Sequence, residues 1–261
     1  MKRILFYVMV AGGVVLTGVI NCHPTDTNEA NTPATDVKIK AEENPIFSVI
    51  YSKDVNKVEE ILETDPTAVN ARDADGLTPL HHLVRLHPLV MALDGNTVGT
   101  VKNIRIEEHL LPVVVLLISK GADVNAKDKK GTTPLHWTVS GGNFALTKLL
   151  VENGADVNAA IDNDPPSEGM TPLFFAAIYG DANTIGFLIS KGADVNKTDR
   201  RGNTPLHVSV AYNQLSSVEI LLKSGAKTDV RNLKGVTPLA WAKGKGYTSI
   251  VQLLERKGAK E

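Results

Sequence analysis

The sequence predicts an all-α fold, a solenoid in which about six helix pairs stack side by side. The first of three observations is that the stretch at 202–207, Gly-Asn-Thr-Pro-Leu-His, recurs along the chain: its threonine, Thr204, has counterparts at Thr171 and Thr237, each 33 residues away. The second is a Gly-Ala signal about twenty residues after each copy, and the third is an apolar pair before that signal. A fixed period of this length is the signature of a repeat array.

Each copy carries signals that begin and end helices. Threonine is a good N-cap because its hydroxyl accepts a hydrogen bond from a free N–H of the first turn, and proline fits the first helical position. Further Thr-Pro-Leu copies begin at Thr78 and Thr133. The glycine of the Gly-Ala signal, as at Gly121 and Gly154, can adopt the left-handed conformation that ends a helix. The unit is therefore predicted to be turn, helix, helix, turn.

These motifs resemble the ankyrin repeat, a family with a 33-residue unit and a Thr-Pro-Leu-His-x-Ala signature. The resemblance covers residues 44–261, and its five Thr-Pro-Leu matches make it specific. It implies a stack of helix pairs with protruding hairpins. It also implies a binding function, usually toward a protein, and no chemistry of the domain's own.

The repeat domain is predicted to contain six units. The first lacks Thr-Pro-Leu and is expected to be a degenerate cap, because the ends of solenoids are usually atypical. The units are a cap at 44–75, repeats that start at 76, 131, 169 and 202, and a C-terminal cap at 235–261.

The second unit is longer than the others and carries an insert at 86–109. The second helix of this unit is predicted at Leu110–Ser119, with Pro112 in its first turn, where proline is tolerated. The insert is either a docking element or a loop folded over the helices, since added loop length costs little stability.

The first 43 residues predict export and a lipid anchor. A basic start is followed by the uncharged, mostly apolar run Ile4–Ile20, which is typical of a signal peptide, here 1–21. The stretch Val-Ile-Asn-Cys that ends at Cys22 resembles a bacterial lipobox, which implies cleavage and lipidation of Cys22. Asn21 departs from the small residue usual before the cysteine, and an uncleaved anchor or an ordinary secreted chain are the alternatives. The polar stretch 22–43 is predicted to be a disordered tether.

Recurring histidines are the main candidates for site chemistry, at positions 81, 136 and 207. In a stack they lie in a row about 10 Å apart, whereas zinc ligands must converge on one ion. We interpret them as hydrogen-bonded bridges between repeats and expect no metal and no cofactor. No nucleophile–base motif or phosphate-binding glycine loop is present, so we expect no catalytic residues. A net charge of −1 does not favour nucleic acid, and we expect a monomer.

The sharpest functional pattern lies in the first helices. Positions four and eight after each threonine share a helix face, and the resemblance implies that this face lines the concave groove of the stack. Tyrosine and tryptophan are the residues that most often anchor interfaces, although such aromatic residues also pack between neighbouring repeats. The aromatic residues at these positions are Trp137, Phe175, Tyr179, Tyr212 and Trp241.

The sequence therefore predicts a membrane-anchored ankyrin-repeat lipoprotein in the bacterial cell envelope, facing the periplasm or the cell exterior. It would bind a partner protein through the concave groove and through hairpin tips that carry Lys129, Arg200 and Arg201. One alternative is an inhibitor or immunity-type protein that blocks an enzyme through the same surface. Another is an enzyme, which no residue pattern supports. The sequence does not identify the partner.

Overall fold

The computed structural model describes residues 44–52, 54–85 and 107–260, together with six short strands. The strands form three small antiparallel pairs. These are β1 (Ile4–Phe6) with β4 (Gly18–Ile20), β2 (Met9–Val10) with β3 (Gly13–Val14), and β5 (Leu93–Asp94) with β6 (Thr97–Val98). Cys22 and the predicted tether 22–43 lie outside the described residues, as do the rest of the predicted signal peptide and most of the insert 86–109.

Twelve α-helices make up the described repeat domain, two for each predicted unit. They are α1 (Ile46–Ile50), α2 (Val55–Thr64), α3 (Pro79–Arg85), α4 (Glu107–Ser119), α5 (Pro134–Ser140), α6 (Phe144–Glu152), α7 (Pro172–Tyr179), α8 (Ala182–Ser190), α9 (Pro205–Ala211), α10 (Leu215–Lys223), α11 (Pro238–Lys245) and α12 (Thr248–Arg256). A 3₁₀ helix at Pro66–Asn70 follows α2.

The helices stack as two rows. The first helices contact one another in the order α1, α3, α5, α7, α9, α11, and each first helix from α5 onward packs on the second helix of its own unit. The second helices lie behind them, with α2 against α4, α8 against α10, and α10 against α12. This arrangement confirms the predicted all-α solenoid.

Local sequence signals position the first helices. The hydroxyl of Thr204 accepts from the N–H of His207, and Pro205 occupies the first position of α9. At the other end of a unit, Gly121 has a φ of +90°, and its following residue Ala122 donates its N–H to the carbonyl of Leu117. The predicted starts and ends of these helices are therefore confirmed where the Thr-Pro-Leu and Gly-Ala signals stand.

The leucine of every Thr-Pro-Leu copy points into the core. Each of the five is at most 2% exposed, and together with the apolar residues of the second helices they belong to one continuous hydrophobic cluster. The five are Leu80, Leu135, Leu173, Leu206 and Leu239. No unit buries its apolar surface alone, which is why repeats of this kind fold as an array.

Helix α4 differs from the sequence prediction. It begins at Glu107 rather than at residue 110, so Pro112 lies inside the helix beyond its first turn. The proline has no N–H to complete the helical hydrogen bond at that point. In the regular units the second helix begins 11 residues after the capping threonine, whereas the insert 86–109 separates α4 from Thr78 and removes this fixed spacing.

A set of asparagine side chains joins successive units at the turn after each second helix. The side-chain N–H of Asn158 donates to the carbonyl of Gly192 at 2.9 Å, and its Oδ1 accepts from the N–H of Asp194 at 2.8 Å. The same pair of bonds, which we call the asparagine clamp, is made by Asn70, Asn125 and Asn196. The fifth repeat has Asp229 there, whose carboxylate cannot donate.

The described helices include none that is long and apolar enough to cross a membrane.

Candidate protein-binding face and hairpin tips

The recurring histidines hold the first helices in register. The Nε2 atom of His81 lies 3.1 Å from the carbonyl oxygen of Thr132 in the next unit, and His136 and His207 make the corresponding contacts at 3.4 and 3.1 Å. On the other side of each ring, Nδ1 accepts from the backbone N–H of the capping threonine. The interpretation of these histidines as bridges between repeats is confirmed.

This arrangement keeps the imidazoles neutral. One ring nitrogen donates and the other accepts, and a second proton would place an N–H against the N–H of the capping threonine. Burial lowers the pKa of both His81 and His136 to about 4 and also lowers the pKa of His207. Among the described residues, no group of three or more His, Cys, Asp or Glu is placed to hold a metal ion.

The hairpins between units present the predicted charged tips. The carboxylate of Asp199 accepts from the backbone N–H groups of Arg201 and Asn203, both at 2.8 Å, which fixes the turn. Asp128 orders the tip of Lys129 in the same way. Lys129, Arg200 and Arg201 are all exposed, as predicted for residues at a tip.

Backbone bonds join these tips into one row. The N–H of Lys129 donates to the carbonyl of Asp75, that of Arg200 to Glu168, and that of Leu233 to Arg201, at 2.8–3.0 Å. Arg200 is also engaged through its side chain, because its Nη1 lies 2.5 Å from Oε2 of Glu168. The charge of Arg200 is therefore partly neutralised within the molecule.

We define the inner face as the exposed surface of the first helices around Trp137, Tyr179, Tyr212 and Trp241. Tyr212 is the most open, with 56% of its surface exposed, and the other three are half-buried against the core. Tyr179 holds the same repeat position as Tyr212 but is not as solvated. Burial, with a smaller contribution from the nearby Tyr212, raises the pKa of its hydroxyl.

Phe175 does not belong to this surface. It is only 7% exposed, and its ring packs edge-on against His136 with the ring centres 5.9 Å apart. The prediction that Phe175 would contact a partner depended on sharing a helix position with Trp137 and Trp241. In the structure its side chain fills the space between repeats, so it offers little area to a binding partner.

The N-terminal part of the inner face is occupied by contacts within the chain. The guanidinium carbon of Arg85 lies 5.1 Å from the centre of the Trp137 ring, a distance typical of cation–π pairs. His82 bonds through Nε2 to the carboxylate of Asp73 at 2.8 Å and through Nδ1 to the hydroxyl of Tyr51. The ring of Trp137 is covered by Arg85, although its buried Nε1–H has no hydrogen-bond partner, and both ring nitrogens of His82 are bonded. Less of this part is therefore free for a partner.

One exposed residue was missed by the sequence analysis. Leu233 lies at a hairpin tip with 80% of its surface exposed, in the place that Lys129 and Arg200 occupy on other tips. The signal that could have found it is an apolar residue directly after the turn-forming Asn232, where the other tips have charged residues.

Comparison with known proteins supports the architecture. A family model described as ankyrin repeats (3 copies) matches residues 104–199 and 191–260, which together make up more than half of the chain. A crystal structure of an ankyrin repeat domain from Acinetobacter baumannii superposes with a TM-score of 0.67 and 28% identity, over 83% of this chain and 98% of that one.

Sequence relatives are longer proteins. Ankyrin repeat and SAM domain-containing protein 6 from rat is 32% identical over 65% of this chain and 17% of its own length. Alpha-latrocrustotoxin-Lt1a from the spider Latrodectus tredecimguttatus is 33% identical over 40% of this chain and 7% of its own. The chain thus spans less than a fifth of the length of the curated relatives that it matches.

The ankyrin fold is generally a non-enzymatic scaffold for protein–protein interaction. With a family model matched over most of its repeats and the stacked helix pairs in place, this chain belongs to the ankyrin repeat family.

Proposed function

We propose that this protein is a membrane-anchored lipoprotein that binds a partner protein through its inner face and hairpin tips, and that it catalyses no reaction. The observation that carries the binding proposal is the exposure of an aromatic side chain, that of Tyr212, which the repeat stack does not need for its own packing. Tyr212 has 56% of its surface exposed, beside the half-buried Tyr179 and Trp241. Aromatic residues that are exposed to solvent in the free protein and become buried in a complex are typical anchors of interfaces.

The tips would act differently from the aromatic anchors. Lys129, Arg200 and Arg201 are exposed at the tips of the hairpins. Charges at such positions mainly affect the rate of association and its dependence on salt. Phe175 would support this surface from below by fixing the first helices, without itself touching the partner.

Photo-crosslinking in the producing cells tests the binding surface. The full chain carries a photoreactive benzophenone amino acid in place of Tyr212, and the matched control carries it in place of Glu219, which is exposed on the second helix α10. We expect a discrete crosslinked protein from position 212 and none from position 219. Crosslinking of the same protein from 219 alone would contradict binding through the inner face.

The membrane anchor rests on the apolar run before Cys22 and on the lipobox-like residues around it. We expect the protein to partition into detergent and to incorporate a palmitate analogue, and we expect Cys22→Ser to lose both properties. A Cys22→Ser protein that still incorporates the label would contradict lipidation at this residue.

A further inference from the structure

We propose that the C-terminal half of the inner face, together with the hairpin tips beside it, binds an acidic extended segment of the partner. This inference rests on the proposed binding function and adds the chemistry of the partner and the place where it lies. We call the surface the C-terminal patch; its residues are Arg201, Tyr212, Leu233, Lys234, Trp241 and Lys245.

The patch contains the most open apolar residues on the inner face and the hairpin row. Leu233 and Tyr212 are 80% and 56% exposed, and Trp241 is half-buried in the neighbouring helix α11. In the N-terminal half, by contrast, Trp137 lies under Arg85, and His82 is bonded on both ring nitrogens. On the inner face and the hairpin row, the apolar surface still available to a partner is therefore concentrated in the last three repeats.

The charges of the patch have one sign. Arg201, Lys234 and Lys245 are exposed and carry positive charge. Two acidic residues lie near these tips: Glu168, at the end of the third repeat, pairs with Arg200 at 2.5 Å, and the largely buried Asp199 accepts from the backbone of its own turn. Exposed charges of one sign favour an acidic partner and disfavour a basic one, although the whole chain has a net charge of −1.

The other described carboxylates of the last three repeats lie in the second helices and in the turns around them. They are Asp181, Asp194, Glu219, Asp229 and Glu255. Of these, Glu255 pairs with Lys243 of α11 at 3.1 Å. The tips of the earlier repeats also differ, since Asp75 is exposed there and Asp162 pairs with Lys127. The positive surface is thus a local feature of the C-terminal half.

The dimensions suit a short extended segment. The tips that carry Arg201 and Lys234 adjoin, because the N–H of Leu233 bonds to the carbonyl of Arg201 at 2.9 Å. Tyr212 and Lys245 lie at the other ends of α9 and α11, and helices of this length span about 11 Å. At about 3.3 Å per residue, three to four extended residues span the length of one such helix, and a few more would reach the tips.

The last tip also leaves backbone uncovered. A Cβ atom added to Gly76, Gly169 or Gly202 would lie within about 3 Å of the backbone of the next hairpin, whereas one added to Gly235 would meet nothing within 4 Å. A partner segment can therefore lie against the backbone here, as extended peptides do at open edges.

Peptide selection tests the proposal. Random 12-residue peptides displayed on phage are selected on the full chain, and the affinities of the resulting synthetic peptides are measured by fluorescence anisotropy. We expect peptides rich in Asp and Glu with at least one aromatic or leucine residue. The triple variant Arg201→Glu, Lys234→Glu, Lys245→Glu should weaken their binding roughly tenfold, as should a rise in salt from 0.05 to about 0.5 M.

The matched control is the triple variant Lys223→Glu, Lys227→Glu, Lys257→Glu, which makes the same charge change with exposed lysines of the second helices and their turns. It should bind the peptides as tightly as the parent. Neutral or basic peptides that lose affinity with Tyr212→Ala would overturn the acidic partner and leave the proposed function standing. If no peptides are selected, or if their binding is unaffected by both Tyr212→Ala and the patch triple variant, both proposals fail.

Discussion

The Nε2 atom of His207 lies 3.1 Å from the carbonyl oxygen of Val236, so an imidazole in one repeat is bonded to the hairpin that leads into the next. Its Nδ1 atom accepts from the N–H of Thr204 in its own helix start. The same residue thus caps a helix and joins two repeats. The bond that Nδ1 accepts requires the neutral ring, which makes the junctions between repeats sensitive to acid.

Stability should fall as the pH decreases from about 6.5 to about 4. Burial lowers the pKa of His81 and His136 to about 4 in the folded protein, whereas 6.5 is the ordinary value expected in the unfolded chain. Between these values the unfolded chain binds more protons, so protons favour unfolding and the stabilisation present above pH 6.5 is lost. Each of the two histidines should account for about 2 to 3 kcal/mol between pH 7 and 4.5. Urea melts of the domain from residue 44 at the two pH values measure this.

The matched variant is His136→Phe, since Phe174 occupies the corresponding position in the next repeat. It should be less stable at pH 7 because the bonds to Thr133 and Met170 are lost, and its stability should depend less on pH. A variant with the same pH dependence as the parent would show that His136 does not control the acid sensitivity.

Leu206→Ala should lower the free energy of unfolding by about 2–5 kcal/mol, as truncation of a buried leucine does. Leu206 is completely buried in the middle of the stack, where its unit contacts a neighbour on each side. Leu233→Ala is the control, because that side chain is 80% exposed and should change stability by less than about 0.5 kcal/mol. Denaturant melts of the two variants measure the free energy of unfolding. An equal loss in both would contradict the burial of Leu206 in the core.

Asn158→Ala should cost about 1–2 kcal/mol, because it removes both bonds of an asparagine clamp between the third and fourth repeats. Asn183→Ala, on the exposed side of α8, is the control and should be nearly neutral. Hydrogen exchange measured by mass spectrometry should show faster exchange at the turn around Gly192 in the Asn158 variant. If the Asn158 variant exchanges at the same rate as the parent and is equally stable, the clamp contributes nothing to the stability of the junction.

Tyr212→Ala and Phe175→Ala should separate binding from stability. Tyr212 is largely solvated, so its truncation should leave the melt unchanged and weaken partner binding by ten- to thirtyfold. Phe175 is buried against His136, so its truncation should cost about 3–5 kcal/mol in stability. A Tyr212 variant that is strongly destabilised would show that this ring belongs to the core.

Tyr179→Ala should lie between these two variants, with a moderate loss of stability and a loss of binding, because its side chain is half-buried. Calorimetric melts and binding measurements on the same samples compare Tyr179→Ala with Tyr212→Ala and Phe175→Ala.

Much of the fold could be predicted because its signals are local. Thr204, Pro205 and the histidine after them start a helix through contacts that span four residues, and a fixed period then places the next helix. The start of α4 at Glu107 did not follow from this period, because the insert 86–109 separates the helix from the Thr-Pro-Leu signal of its unit. The asparagine clamps were also missed, because each joins residues about 30 to 50 positions apart.

The sequence by itself determined the repeat architecture, the helix starts and ends at the Thr-Pro-Leu and Gly-Ala signals, and the candidate aromatic positions. Only the tertiary structure decided which of those aromatic residues are available to a partner. Tyr179 and Tyr212 hold the same position in successive repeats, yet one is half-buried and the other is 56% exposed. Exposure depends on the side chains that neighbouring repeats place around a residue, and a periodic pattern specifies the position of a residue but not the volume of its neighbours.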